Sequence, residues 1–458
     1  MRFLILALMS TLLAGSELTA RLDRILDGVP KNGLAGVAII DLDTNQRIFA
    51  RDANKPLSLA STTKALVSAA ALTHLGTKFS YRTQVVGLGP VVAGRVPGLG
   101  VIGGGDPCLD GHFADDKPSE FFLEWAATLK RQGVVAIDGD LVIDNRMTTG
   151  PIRPESYPQD QDNQQRWYSA PASGFAWNDN CIEVRVVPTR VGQAAEVQVR
   201  PRSARILVNN QARTIAGKGD KAIYVTRAMD TNTVTVSGSY SQATPWFPLA
   251  IQRDPELLAG DELRAVLAEA GITLSGTVRS GAVDRRLGPL FLVHASPLLP
   301  AMTVMNQHSQ NFYGEQTLRV LGFDRFHEGS ITAGAKATKD ILEKLIGPLA
   351  AEITILDGSG LSYGNLGSAG AMAAVMAAMH RSPVGADYRS TLKLKDVGKA
   401  KGFVKTGTLA VATCLVGYVD APSGRKFAFA LLFNKGETRD FRWAPATREA
   451  IFRTLSDS

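Results

Sequence analysis

The chain has 458 residues, 45% of them hydrophobic and 20% charged, enough for two or three cores and too apolar for a disordered majority. A formal net charge of +7 suits anionic surfaces such as wall polymers or phospholipid headgroups, and serves solubility equally well. The basic residues are scattered and not interleaved with aromatics, which argues against nucleic acid as a partner.

The first residues, MRFLILALMSTLLAGSELTA, place Arg2 before an apolar run from Phe3 to Leu13, then small residues at Ala14, Gly15, Ser16 and Ala20. This pattern reads as a Sec-type signal peptide over 1–20, too short to span a bilayer, with an uncleaved anchor as the alternative. It implies a periplasmic or otherwise extracytoplasmic protein. GVAIIDL at 36–42 reads as a buried strand that turns back through QRIFAR as a hairpin. PLSLASTTKALVSAAALTHLG opens a helix near Ser61 and stops at Gly76. Residues 81–145 mix short strands and Gly/Pro turns with one helical stretch, SEFFLEWAATLKRQG. The alternating segments of 181–246 (IEVRVVP, AEVQVRP, RILVNN, TVTVSGSY) look all-β, and DELRAVLAEAG follows as a helix. From Pro297 helices dominate: LLPAMTVMNQ, ITAGAKATKDILEKLIG and SAGAMAAVMAAMH. VATCLVGYVD and KFAFALLFN then form a hairpin before a terminal helix, APATREAIFRTL. The two ends therefore complete one sheet, and the β-rich middle reads as an insertion.

Cys108, Cys181 and Cys414 lie far apart, form no CxxC pair, and allow one bridge at most. They offer no zinc spacing, and buried small hydrophobes are the better reading. No metal or other cofactor is expected.

Ser61-Thr-Thr-Lys64 is an SxxK at a helix start, where residues three apart share a face and Lys64 can reach the Ser61 hydroxyl. A serine needs a neighbour to take its proton, and a lysine can do so when burial or a second cation lowers its proton affinity. Ser390-Thr-Leu-Lys393 is a second SxxK, in a stretch that reads as a loop, so Ser390 is taken as structural. Ser309-Gln-Asn311 is the chain's one SxN: a hydroxyl for proton relay and an amide for a substrate carbonyl. Lys405-Thr406-Gly407-Thr408 is a KTG before a strand. Lys405 and the Thr406 and Thr408 hydroxyls suit a carboxylate, Thr408 N–H an oxyanion, and Gly407 the close approach of a ligand backbone. Each motif alone has a bland reading as a cap or turn; their joint occurrence in this order does not.

Two other matches fail. Gly98-Leu-Gly100-Val-Ile-Gly103 fits GxGxxG, but Gly104, Gly105, Asp106 and Pro107 cannot start the helix a phosphate needs. Gly360-Leu-Ser362-Tyr-Gly364 fits GxSxG, yet His380 is the one histidine after it and no acid lies between them. His308, beside Ser309, reads as a rim or packing residue.

The chain resembles the low-molecular-mass class C penicillin-binding proteins, the D-Ala-D-Ala carboxypeptidase/endopeptidase family S13. The likeness covers nearly all of the chain after the leader. It rests on the Ser61 segment, GGGDPCL at 103–109, IDGDLVID at 137–144 and WYSAPASGFAWNDNCIEV at 167–184. It continues through the SxN, DGSGLS at 357–362 and KTGTL at 405–409. The resemblance implies an α+β, multi-domain protein: a penicillin-binding, β-lactamase-like transpeptidase domain with an antiparallel sheet flanked by helices, interrupted by an inserted domain that carries a nested β-rich domain. The expected division is 21–80 and 288–458 for the catalytic domain, 81–180 and 247–287 for the insert, and 181–246 for the nested domain.

The resemblance implies catalysis by Ser61, Lys64, Ser309, Asn311 and Lys405, on peptidoglycan muropeptides, with β-lactams as covalent inhibitors and peripheral membrane contact as an option. Thr406, Gly407 and Thr408 would bind substrate. In the family an acidic residue and an aromatic read the stem-peptide side chain; Tyr168 fits the aromatic, while Asn163 stands at the acidic position with Asp162 adjacent as a substitute. The alternatives are a β-lactamase-like hydrolase, disfavoured by the long separation of Ser61 from Ser309, and a wall-binding module whose catalysis has decayed.

Overall fold

The computed structural model describes residues 17–217, 219, 221–397 and 399–458. The leader expected over 1–20 falls mostly on residues outside this range. Residues 17–26 form helix α1, and its Leu18, Leu22 and Leu26 are buried in a core. Two compact units divide the chain. The first comprises the chain up to Phe79, with Leu298–Leu321 and Ile331–Ser458; the second comprises Ser80–Pro297 with Gly322–Ser330.

The first unit is built on a six-stranded antiparallel sheet. Its strands are β1 (Leu34–Asp41), β2 (Gln46–Arg51), β3 (Lys393–Val397), β4 (Ala400–Leu409), β5 (Ala412–Asp420) and β6 (Lys426–Asn434), in spatial order β3-β4-β5-β6-β1-β2. The amino-terminal hairpin thus pairs with the carboxy-terminal one through Leu34↔Asn434 to Asp41↔Phe427. β6 (KFAFALLFN) is buried from Phe427 onward, as a near-continuous apolar run must be when both faces of a sheet are covered. One face meets α1 and the final helix, whose Ile451, Phe452 and Leu455 join the leucines of α1. The other meets Ala369–Arg381, a helix of small residues and methionine. Helix α2 (Thr63–His74, TKALVSAAALTH) is buried from Thr63 to Leu72. Alanines at 65, 69, 70 and 71 let neighbours close in on every side, which explains how a lysine in its first turn loses contact with water.

The second unit holds a five-stranded mixed sheet of Val278–Ser280, Leu141–Asp144, Leu99–Ile102, Ser80–Gly87 and Leu290–Pro297, in that order. Helices Glu120–Arg131 and Pro255–Glu269 bury Phe122, Trp125, Leu263 and Val266 against it. Two three-stranded sheets occupy the stretch around 181–250, and Ile182, Val184, Val234, Val236 and Tyr240 share their core. The GxGxxG match becomes the strand Leu99–Ile102 and the turn after it, where a Cβ on Gly103 would stand 2.2 Å from Gly174 C. No helix among the described residues is long and apolar enough to cross a membrane.

Candidate active site

A 3-10 turn, Ala60–Thr62, precedes α2 and carries Ser61. Ala60 holds φ at +47°, a conformation costly for a residue with a Cβ and kept here by its buried surroundings. Ser61 is partly exposed, and Lys64, one turn on, is fully buried with Nζ 3.0 Å from Ser61 Oγ. Nζ also donates to Asn311 Oδ1 at 2.6 Å and to the Ser359 carbonyl at 2.5 Å. Three acceptors match the three hydrogens of an ammonium. A neutral amine has two hydrogens for the two shorter contacts, which turns its lone pair toward Ser61. Burial lowers the Lys64 pKa to about 7, against the opposing charges of Asp357 and Glu315.

α3 (Leu298–Gln307) and α4 (Asn311–Phe326) flank the SxN. Ser309 sits between them with φ at +57°. Its Oγ accepts a hydrogen bond from Lys405 Nζ at 2.9 Å, and Lys405 also donates to the Thr406 carbonyl at 2.8 Å. Lys405 is 1% exposed; burial, then the nearby charges of Lys64 and Lys393, push its pKa well below the ordinary lysine value. Asn311 has a role that the motif did not announce: its amide oxygen holds the lysine of the first motif.

Along β4 the side chains alternate, Lys405 and Gly407 buried, Thr406 and Thr408 exposed. A Cβ on Gly407 would stand 2.8 Å from Leu59 O and 3.0 Å from Thr62 N, so the Ser61 turn by itself already asks for a glycine here. β3 pairs with β4 only from Ala400 to Val404, and the Lys405–Leu409 stretch pairs with β5 on its other side. The KTG therefore lies on an edge that β3 leaves uncovered, a surface suited to an extended peptide.

Sequence reasoning missed the support behind Lys64. Asp357 Oδ1 accepts from Ser359 N–H at 2.9 Å, Ser359 Oγ at 3.0 Å and Gly360 N–H at 2.5 Å; Oδ2 accepts from Ser362 N–H at 2.9 Å and Asn365 Nδ2 at 2.7 Å. Glu315 Oε1, from α4, accepts from Gly358 and Ser359 N–H, each at 3.0 Å. DGSGLS contributed only to the family likeness; its work, presenting the Ser359 carbonyl to Lys64, needs the fold to be seen. The same loop disposes of the GxSxG match, because Ser362 is fully buried.

The remaining expected residues have other hydrogen-bond partners. Ser390 ends a short helix, Gly385–Thr391, where a loop was expected, and its hydroxyl donates to Asp387 O at 2.7 Å. Asp162 and Tyr168 belong to the second unit. There the Tyr168 hydroxyl donates to Asn163 Oδ1 at 2.8 Å, while exposed Asp162 accepts from Gln165 Nε2 at 3.3 Å. It is Asn163, then, that meets the aromatic. The three cysteines are free and buried, as expected. The second unit also gathers Asp106, His294 and Ser296, but Ser296 Oγ donates to Asp106 at 2.6 Å and is buried, so this trio is no hydrolytic triad. Asp110, His112 and Asp179 bring one potential metal-ligand atom each within 4.8 Å of one another, and Asp110 Oδ1 accepts the His112 backbone N–H.

Known proteins similar to this chain share one family. The family model described as D-Ala-D-Ala carboxypeptidase 3 (S13) matches residues 18–454. A D-alanyl-D-alanine carboxypeptidase of Actinomadura sp. strain R39 is 28% identical over 451 residues, covering 92% of this chain and 81% of that protein. The D-alanyl-D-alanine carboxypeptidase DacB of Haemophilus influenzae is 24% identical over 447 residues, 93% of this chain and 89% of its own. The crystal structure of penicillin-binding protein 4 from H. influenzae superposes with a TM-score of 0.76 at 22% identity, covering 97% of this chain and 99% of that one.

Proposed function

The chain belongs to the D-Ala-D-Ala carboxypeptidase 3 (S13) family, and from that premise we propose how its residues divide the work. It is a serine penicillin-binding peptidase that acts on peptidoglycan. Neutral Lys64 takes the Ser61 proton as Oγ attacks the carbonyl between two terminal D-Ala residues. The backbone N–H groups of Ser61 and Thr408 hold the oxyanion, an interaction worth on the order of 10²–10³ in rate for one such donor. As the C–N bond breaks, the Ser309 hydroxyl passes its proton to the leaving amine and takes the proton that Lys64 gained, which returns Lys64 to the neutral base, while Lys405 Nζ, donating to Ser309 Oγ, holds that hydroxyl in place. Asn311 serves both the substrate backbone and Lys64; Lys405, Thr406 and Thr408 receive the terminal carboxylate. Water, activated by Lys64, then releases the acyl group from Ser61. A β-lactam follows the first half of this path, but its leaving group stays tethered and the adduct persists.

The observation that carries the reading is the pair of buried lysine side chains, each meeting one serine hydroxyl, Lys64 on Ser61 and Lys405 on Ser309. The test is mass spectrometry after incubation with penicillin and, separately, with purified muropeptides. A covalent adduct on Ser61→Ala protein would refute the assignment, and rapid release of penicillin would favour a β-lactamase-like hydrolase.

The leader-like sequence supports an extracytoplasmic location, and the +7 charge supports contact with anionic wall polymers or a phospholipid surface. Because Leu18 is buried with Leu22 and Leu26, leader removal at the Ala14-Gly15-Ser16 stretch leaves this core intact, whereas a cut after Ala20 would take Leu18 away. The separate cores support reading 181–246 as a domain nested within the insert.

A further inference from the structure

The proposed acylation step requires the Lys64 lone pair to face Ser61, and the Ser359 carbonyl is the shortest contact that turns the amine. That carbonyl shares a rigid peptide unit with Gly360 N–H, which donates to Asp357 Oδ1. One amide therefore bridges a buried carboxylate and the amine. Gly360 has φ at +83°, and a Cβ there would lie 1.9 Å from Ala60 O, so this peptide is pressed onto the turn that carries Ser61. Behind it Glu315, 2% exposed, grips the Gly358 and Ser359 N–H groups. The charged groups around Lys64 come from separate elements: Asp357 from the loop and Glu315 from α4 favour its ammonium, while Lys405 from β4, itself near Lys393, repels it.

Resting on the assignment of Lys64 as the base, we propose that Glu315 is a positioning residue for acylation: it clamps the backbone that aims the Ser359 carbonyl at Lys64, and its charge stabilises the ammonium formed as Ser61 gives up its proton. In that step the proton moves from Ser61 Oγ to Lys64 Nζ, the Oγ–C bond forms, and the carbonyl electrons move onto the oxyanion. Asp357 is tied to five donors through both oxygens, and an amide in its place would turn an NH₂ toward some of them. Glu315 allows a cleaner separation, because the Oε1 of a glutamine can accept both N–H bonds without the charge.

The experiment measures the second-order rate of fluorescent-penicillin acylation against pH for the full chain, Glu315→Gln, Glu315→Asp and Lys64→Arg. In Glu315→Gln the rising limb moves to lower pH by about half a unit to one unit, and the plateau falls by about tenfold. Glu315→Asp keeps the charge with a shorter reach, so its limb stays at the wild-type pH while the plateau drops. A Glu315→Gln limb that coincides with wild type, or a Glu315→Asp limb that is displaced from it, overturns the proposal; if Glu315→Gln does not fold, the Glu315→Asp limb decides alone. Lys64→Arg acylating with the wild-type rate and profile would instead remove the assignment of Lys64 on which the proposal rests.

Discussion

Two stretches of this chain spell SxxK, and the contrast between them locates where the chemistry comes from. Ser61 and Lys64 open a helix buried on every side; the lysine is fully enclosed and its amine meets the serine at 3.0 Å. Ser390 and Lys393 straddle the end of a short helix and the start of edge strand β3, and both are exposed. There the hydroxyl is satisfied by its own helix at Asp387 O, and Lys393 is exposed to water. The letters are the same, but an amine that can accept a proton near neutrality needs burial with two carbonyl oxygens to hold its hydrogens, and the second tetrad has neither. Lys393 still acts at a distance, lowering the proton affinity of Lys405.

The largest effect expected from this contrast is at Ser61. Ser61→Ala abolishes the covalent penicillin adduct seen by mass spectrometry, a loss on the order of 10⁴-fold or more in acylation. Lys64→Arg comes next, with acylation down about 10³-fold, since a guanidinium cannot give up its proton to become a base. A substitution in the support reaches the same site through the backbone. Gly360→Ala costs about 3 kcal/mol or more of stability in a denaturant titration, because its Cβ meets Ala60 O and its φ is positive. Gly424→Ala, also at positive φ but in open space, costs about 1 kcal/mol. The wild-type pH profile gives a gentler gradient: Lys64 must be neutral to accept a proton, so acylation rises through about pH 7 and falls roughly tenfold per unit below it. At the small end, Ser390→Ala leaves acylation unchanged and shifts stability by no more than about 0.5 kcal/mol. A marked loss of acylation there would break the contrast.

Legibility followed the same line. The motifs announced themselves because Ser61, Ser309 and Lys405 carry chemistry in their own side chains, and the strand at 36–42 and the hairpin of KFAFALLFN are continuous apolar runs. α4 escaped notice although it starts on Asn311, because Gln316, Thr317 and Arg319 point polar groups into the core and erase the helical alternation of apolar residues. Glu315 and Asp357 were equally silent. Their acceptors face backbone N–H groups, which every sequence has and no spacing reveals. The packing of Gly407 against the Ser61 turn was equally hidden, since a packed turn and a bound ligand make the same demand for a missing side chain.

The order of strands has a consequence for how long the molecule must wait to work. Ser58, just before the nucleophile, donates its N–H to Asn434 at the end of β6, 376 positions later. A chain emerging amino-terminus first at roughly 5–20 residues per second needs roughly 20–75 s to deliver that partner, and β1 lacks its β6 neighbour until then. The second unit, completed by Leu290–Pro297 except for its short 322–330 segment, has most of its own pieces well before. Truncation near the carboxy terminus would thus leave a folded insert on an inert chain: the nucleophile is among the first residues made and among the last to be armed.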